Sequence, residues 1–218
     1  MITWSDLHNK HKGETCIVIG NGPGLNDIPR LFLVKYPTFG ANRIYLLPKF
    51  RTTYYTAIDA LMISQWLDDI AKLPQVIKFI RASYAALVPG SLPIYSLKPH
   101  LFSYEPGRGL YEGWTVTFVN LQIAYWMGFT EVLLVGVDHE FIFTPNPDKK
   151  SYIPGDDPNH FDSAYFKNAY WDHPNLMYSE EAYILAKEAY EKNGREIINC
   201  STRTKLDVFR KEDWHEFA

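Results

Sequence analysis

Cysteine is scarce in this chain: Cys16 and Cys200 are the only two in 218 residues. That excludes a disulfide-stapled scaffold and fits a reducing compartment. A positive excess is also lacking, with 22 Lys and Arg against 25 Asp and Glu, a net charge of −3 and a pI near 6.2. No Lys/Arg cluster exceeds an ordinary solvated surface, so the footprint of a nucleic-acid binder is missing. No apolar run approaches the roughly 20 residues of a membrane span. The opening residues, Met1-Ile2-Thr3-Trp4-Ser5-Asp6, lack the basic-then-apolar layout of a signal peptide. A cytoplasmic protein with no transmembrane segment is expected, and peripheral membrane association and homo-oligomerisation stay open. Internal repeats and low-complexity linkers are absent too. The length suits one domain, residues 1–218, around a single sizeable core.

Aromatics, by contrast, are plentiful, at 16% of residues with 15 tyrosines and 6 tryptophans. Many fall outside strand-like segments, which points to a lined cleft. Strand-like and helix-like segments alternate, the pattern of an α/β fold with a mostly parallel, doubly wound, Rossmann-like sheet. The strand candidates are Thr15–Ile19, Thr38–Ala41, Tyr54–Ile58, Ile77–Ile80, Glu131–Val137 and Glu196–Asn199. The helix candidates are Ala60–Leu73, Thr117–Met127 and Ser179–Asn193, the last capped by Ser179 and stopped by Gly194. Between about Phe141 and Asn175 the alternation stops. This stretch holds Pro145, Pro147, Pro154 and Pro158 among aromatics such as Phe161, Tyr165, Phe166, Tyr170 and Trp171. Its aromatic density argues against disorder, and it reads as a lid inserted over one edge of the sheet. A second irregular stretch, Leu97–Trp114, would supply the opposite wall.

The most informative segment is Thr15-Cys16-Ile17-Val18-Ile19-Gly20-Asn21-Gly22-Pro23-Gly24-Leu25. A short β-branched run ends in three glycines at alternate positions. That is how a buried strand delivers its end to a phosphate-bearing ligand, with backbone N–H groups free to approach it. The spacing is Gly-x-Gly-x-Gly, which departs from the Gly-x-Gly-x-x-Gly of dinucleotide enzymes. In open α/β sheets ligands bind beyond the carboxyl ends of strands. The natural site residues are therefore Gly20, Asn21, Gly22 and Pro23, then Asn42, Asp59, Asp138 with His139 and Glu140, and Asn199. Thr115 and Thr117 open a helix after a glycine-rich stretch, where capping alone also accounts for them. Arg43, Lys49 and Arg51 form a modest basic group, read as solvated surface.

The ordered landmarks Gly20-Asn21-Gly22-Pro23, Gly40-Ala41-Asn42-Arg43-Ile44-Tyr45 and Gly128 to Asp138 carry two resemblances, together with Ile198-Asn199 and Lys205-Leu206-Asp207-Val208-Phe209. Across nearly its whole length, with Tyr54-Tyr55 and Asp157-Pro158-Asn159-His160-Phe161 in support, the chain resembles bacterial 6-hydroxymethylpterin diphosphokinase MptE-like proteins, a domain family of unknown function. In sparser landmarks it resembles the CMP-sialic-acid-dependent sialyltransferases of lipooligosaccharide synthesis. The second resemblance implies that Asn21 and Asn42 hold CMP and that Asp138 lies near the nucleotide. It also implies a lid histidine as general base, His173 by position first and His160 second. The departures are Asp59 where those enzymes carry asparagine, Glu140 where they carry tyrosine, and Gly113-Trp114-Thr115-Val116-Thr117 before the middle helix. Tyr152 would stand in for the missing tyrosine at the leaving group. Against archaeal pterin kinases, Gly40-Ala41-Asn42-Arg43 is the mismatch.

The second resemblance, together with the aromatic lid, implies a metal-independent, inverting glycosyltransferase of polysaccharide biosynthesis, taking a CMP-sugar as co-substrate and a glycan as acceptor. Histidine suits the base because its ordinary pKa lies near working pH. The N–H groups of the Gly20–Leu25 turn and the helix after it would stabilise the departing phosphate. Two rivals remain open. One is an ATP- and Mg²⁺-dependent diphosphokinase, with Asp138 and Glu140 as candidate metal ligands. The other is a non-catalytic nucleotide-binding protein.

Overall fold

Along Thr15–Ile19 (β1) successive side chains leave the strand on opposite sides. Cys16 and Val18 enter one apolar layer, while Ile17 and Ile19 enter another. Glu131–Val135 (β8) repeats the division, Val132 and Leu134 against Leu133 and Val135. Strands buried on both faces belong to a parallel sheet covered on both sides. The computed structural model, which describes residues 2–74, 77–99, 101–143, 145–146 and 149–218, has that architecture. Pro147, counted above with the lid prolines, lies outside the described residues.

The remaining strands of the main sheet are Thr38–Ala41 (β2), Tyr54–Ala57 (β3), Ile77–Arg81 (β4), Leu92–Ile94 (β5), Glu196–Asn199 (β11) and Arg210–Lys211 (β12). Their order is β12-β11-β8-β1-β2-β3-β4-β5, and every pairing in it is parallel. The chain thus winds outward from β1 in one direction and from β8 in the other. Between β1 and β8 lies the topological switch point, where such sheets open a crevice. Two small ribbons stand apart, Ser96–Leu97 (β6) with Leu110–Tyr111 (β7), and Lys150–Ile153 (β9) antiparallel to Ala169–Asp172 (β10).

One layer is closed by Trp4–Leu7 (α1), Val116–Trp126 (α6) and Leu176–Glu191 (α7), through Leu7, Phe118, Leu121, Ala186 and Tyr190. Arg30–Leu33 (α2), Ala60–Gln65 (α3) and Leu67–Lys72 (α4) cover the other, and Ala82–Ala85 (α5) follows β4. The lid joins that second layer outright: Phe161, Tyr165, Phe166 and Trp171 are buried in the same core as Ile17 and Tyr55. The lid's aromatics therefore pack chiefly into the core, where the sequence had them lining a cleft. Main-chain bonds fasten it, with the Phe161 N–H donating to the Asn21 carbonyl (2.9 Å). Arg43 donates to the carbonyls of Ala164 (2.8 Å) and Tyr165, and its guanidinium stacks 4.3 Å from the Trp66 ring. The surface reading of Arg43 is thereby corrected.

Among the boundaries that differ from expectation, three have clear local reasons. The helix expected over Ala60–Leu73 breaks at Trp66 (φ −131°, ψ 29°), whose ring packs between Arg43 and Phe166. Asn175, in place of Ser179, caps α7: its side chain accepts from the Tyr178 N–H, while Ser179 turns inward and donates to the Asn175 carbonyl. β8 ends at Val135 because Gly136 (φ +65°) turns the chain towards Gly20. No helix among the described residues is long and apolar enough to cross a membrane.

The switch point rests on close backbone approach. A Cβ on Gly20 would stand 2.3 Å from the Gly136 carbonyl oxygen, which as backbone cannot swing away. Gly20→Ala should therefore cost about 1–3 kcal/mol or more, read as a lowered urea midpoint. Gly155→Ala, with nothing within 4 Å, should stay within about 0.5 kcal/mol of wild type. Equal midpoints for the two variants would contradict this account.

Candidate functional site

A cleft of about 780 Å³ opens at the switch point, over the carboxyl ends of β1, β2, β3, β4 and β8. Gly20, Asn21, Gly22, Asn42, Asp59, Thr115, Thr117, Asp138, Glu140, His160 and His173 all line it. Pro23 and Tyr152 are not among the lining residues. On β9 Tyr152 packs its half-exposed ring against Tyr170, while its neighbour Ser151 turns in towards His173. Nor does Asn199 line the cleft; its amide builds the following turn through Ser201, Thr204 and Leu206.

The glycine turn behaves differently from the phosphate cradle read from its sequence. Gly20 N–H donates to the Val135 carbonyl (2.8 Å) and Gly22 N–H to that of Gly136 (2.9 Å). Gly24 N–H donates to Asp138 Oδ2 (2.7 Å), and Leu25 N–H to Gly22. The helix that follows is a single 3₁₀ turn, Pro23–Asp27. These N–H groups are spent holding the turn and the two strand ends together, and Asp138 braces the turn through Oδ2, while its Oδ1 is buried with no hydrogen-bond partner among the described residues. Burial pushes its carboxyl above the usual carboxylate range, a shift that the Gly24 N–H and Arg203 oppose. Asp59 is likewise engaged, its Oδ1 capping α3 through the N–H groups of Leu61 (2.8 Å) and Met62 (3.1 Å). Burial raises its carboxyl as well.

Positive potential reaches the cleft from two other places. Both long helices begin there: α6 presents Thr115, Val116 and Thr117, and α7 presents Asn175 and Leu176. Helix N-termini favour anions. Thr115 does cap α6, accepting from the Thr117 N–H (3.3 Å).

Two asparagines carry the clearest vacancy for a donor. Among the described residues, the Oδ1 atoms of Asn21 and Asn42 are buried without a hydrogen-bond partner, as is Oδ1 of Asp138 on the same cleft. Buried acceptors are normally paired, so such atoms on a cleft wall mark groups waiting for a ligand. Asn42 (φ +54°) also shares the left-handed region with Trp114 (+58°) and His139 (+54°), which line the same cleft. Strained backbone of this kind concentrates at functional sites. Because His139 lies past the end of β8, strand alternation does not set its direction. It reaches Glu180 (3.0 Å), while Glu140 stands exposed at the rim.

The two histidines differ in which lone pair is free. His173 Nδ1 accepts the Asn146 N–H (3.1 Å), and Nε2 pairs with Ser151 Oγ (2.9 Å). Both ring nitrogens are thus occupied. His160 pairs Nδ1 with Asp157 (2.8 Å), and no hydrogen bond engages Nε2 among the described residues. Sequence order ranked His173 first, whereas of these two histidines only His160 keeps a ring nitrogen without a hydrogen bond among the described residues.

Two wall residues escaped the sequence reading. Arg81 donates to both oxygens of Glu112 (2.6 and 2.8 Å) and to the Ile58 carbonyl, closing the side formed by β4 and the 97–114 stretch. Arg81 directly follows the expected strand Ile77–Ile80, so the strand-end rule is the signal that points to it. No group of three or more His, Cys, Asp or Glu suited to a metal occurs among the described residues.

Burial, then Lys149, holds the His173 ring below its ordinary value of 6.5. A depressed folded-state pKa contributes stability that is fully present above about 6.5 and lost as pH falls through the folded value. The melting temperature should fall more steeply between pH 7 and pH 5 in wild type than in His173→Gln. Parallel slopes would rule out this linkage.

With the geometry established, comparison with known proteins shows what shares it. No protein-family model and no curated protein matches the chain, so the MptE-like resemblance gains nothing there. Among solved structures, the chain is similar to the sialyltransferase CstII from Campylobacter jejuni, determined in complex with a substrate analogue, cytidine-5′-monophosphate. The TM-score is 0.52 at 14% identity, over 92% of this chain and 85% of that one. At such identity the likeness is one of fold: a Rossmann-like α/β sheet of the kind found in that transferase.

Proposed function

We propose that the chain is a glycosyltransferase that takes a CMP-sugar and transfers its sugar, with inversion, to a glycan hydroxyl without a metal ion. The observation that carries this reading is the pair of unpartnered amide oxygens of Asn21 and Asn42 at the switch-point crevice. Their acceptors suit the amino group of a cytosine or the hydroxyls of a ribose. A CMP complex of a sialyltransferase on the same fold supports the choice of nucleotide.

In this reading the donor phosphate lies against the first turn of α6, whose positive end offsets the charge that builds on departure. The acceptor oxygen attacks the anomeric carbon from the opposite face. The bond from that carbon to the phosphate oxygen breaks, and its electron pair leaves with CMP. His160 Nε2 takes the acceptor proton, a transfer worth roughly 100- to 10,000-fold in rate. The closed aromatic lid keeps water from competing with the acceptor.

Thermal shift against CMP, CDP, UDP, GDP and ATP, with and without Mg²⁺, tests the proposal. CMP at about 100 times its Kd should add roughly 2.7 kcal/mol of stability without Mg²⁺. Asn42→Ala should weaken CMP at least about tenfold, by loss of a buried hydrogen bond. A response confined to ATP with Mg²⁺ would overturn the reading in favour of diphosphate transfer. Tight nucleotide binding with no turnover of any sugar donor would favour the non-catalytic alternative.

A further inference from the structure

The open lone pair of His160 has a cause one turn away in the lid. Asp157 is buried, its side chain 1% exposed, and it lies outside the cleft-lining residues. Its Oδ1 accepts the Asn159 N–H (2.9 Å), and its Oδ2 accepts the Phe166 N–H (3.2 Å) and faces His160 Nδ1 (2.8 Å). A carboxylate already accepting two backbone donors has no proton to give, so the imidazole must be the donor at Nδ1. That places the neutral ring's only proton on the side away from the cleft and leaves Nε2 as the acceptor.

We infer that Asp157 is a positioning residue that fixes the tautomer of the base and ties it to the folded lid. This rests on the transferase reading for its role in catalysis, although the tautomer itself does not. The logic is that of the carboxylate in a serine-protease triad, which orients a histidine and steadies the imidazolium without taking its proton. In the step above, His160 becomes an imidazolium at Nε2 while Asp157 remains a carboxylate.

The same carboxylate joins the base to the lid backbone. Asn159, whose N–H it accepts, receives the Ile142 N–H at its own Oδ1 (3.0 Å), and Phe166 is buried in the core. The ring's plane is set separately: it stacks on Tyr165 at 4.1 Å and 6°, and the Tyr165 hydroxyl accepts the Arg43 N–H (3.1 Å), next to Asn42. Base orientation, lid packing and the nucleotide wall thus share one hydrogen-bonded unit. Among the described residues no carboxylate meets either ring nitrogen of His173, and its Nδ1 accepts a backbone N–H instead. The two lid histidines therefore hold opposite tautomers.

Long-range ¹⁵N–¹H spectra of the histidine rings in the intact protein, with His160 assigned from His160→Gln, test this directly. In wild type above pH 7.5 the His160 proton should sit on Nδ1 and the His173 proton on Nε2. In Asp157→Asn the amide cannot accept from all three donors, and the His160 proton should move to Nε2 in most molecules. With transfer assayed, Asp157→Asn should lower kcat on the order of 100-fold or more, with the donor KM unchanged. A mainly Nε2-protonated His160 in wild type overturns the inference, and so does an unaltered tautomer or kcat in Asp157→Asn. If that variant does not fold, the wild-type tautomer alone decides. Failure to bind CMP would remove the transferase reading yet leave the tautomer result standing.

Discussion

The contact on which this site depends is the approach of two loops, one leaving β1 and one leaving β8. Gly22 donates to the Gly136 carbonyl, Gly24 donates to Asp138, and a Cβ at Gly20 has no room beside Gly136. Because β1 and β8 are neighbours at which the winding reverses, this is where the sheet would otherwise gape. Fastening it puts Asn21 on the cleft wall in a fixed place, with its carbonyl turned to the lid and its side chain towards β2. The glycines are thus a means of bringing backbones together, and the ligand meets what stands beside them.

Several parts of the molecule were legible in the residues. β-branched runs bounded by glycine and polar residues gave β1, β2 and β11 to the residue. The strand-end rule gathered Asn21, Asn42, Asp59 and Asp138, since every parallel strand delivers its last residue to the same edge. Partner choice was not legible. Whether a turn N–H faces solvent or a distant carbonyl depends on tertiary neighbours, so the Gly20–Leu25 segment was read as a phosphate cradle. For the same reason the bracing of the turn by Asp138 Oδ2 was hidden, although Asp138 does line the cleft. Asn175 and Ser179 are both good caps. Only the packing of α7 decides between them.

The lid shows the limit from the other side. Its composition argues against disorder, but high aromatic content does not say which way the rings face. Phe161, Tyr165, Phe166 and Trp171 turn into the core, and Arg43 crosses from the body to hold their backbone. Position along the chain favoured His173 as the base. The lone pairs, visible only once Asn146, Ser151 and Asp157 are in place, favour His160.

A roof built into the core also determines where the cleft can change. Residues around His160 cannot drift without loosening packing that β1 and β3 share, so that side is conservative by construction. The facing rim is built differently at Trp114, half-exposed on a left-handed backbone and stacked on Tyr178. Novelty in what the cleft accepts has its cheapest route through that rim, leaving the roof untouched while the guest is exchanged.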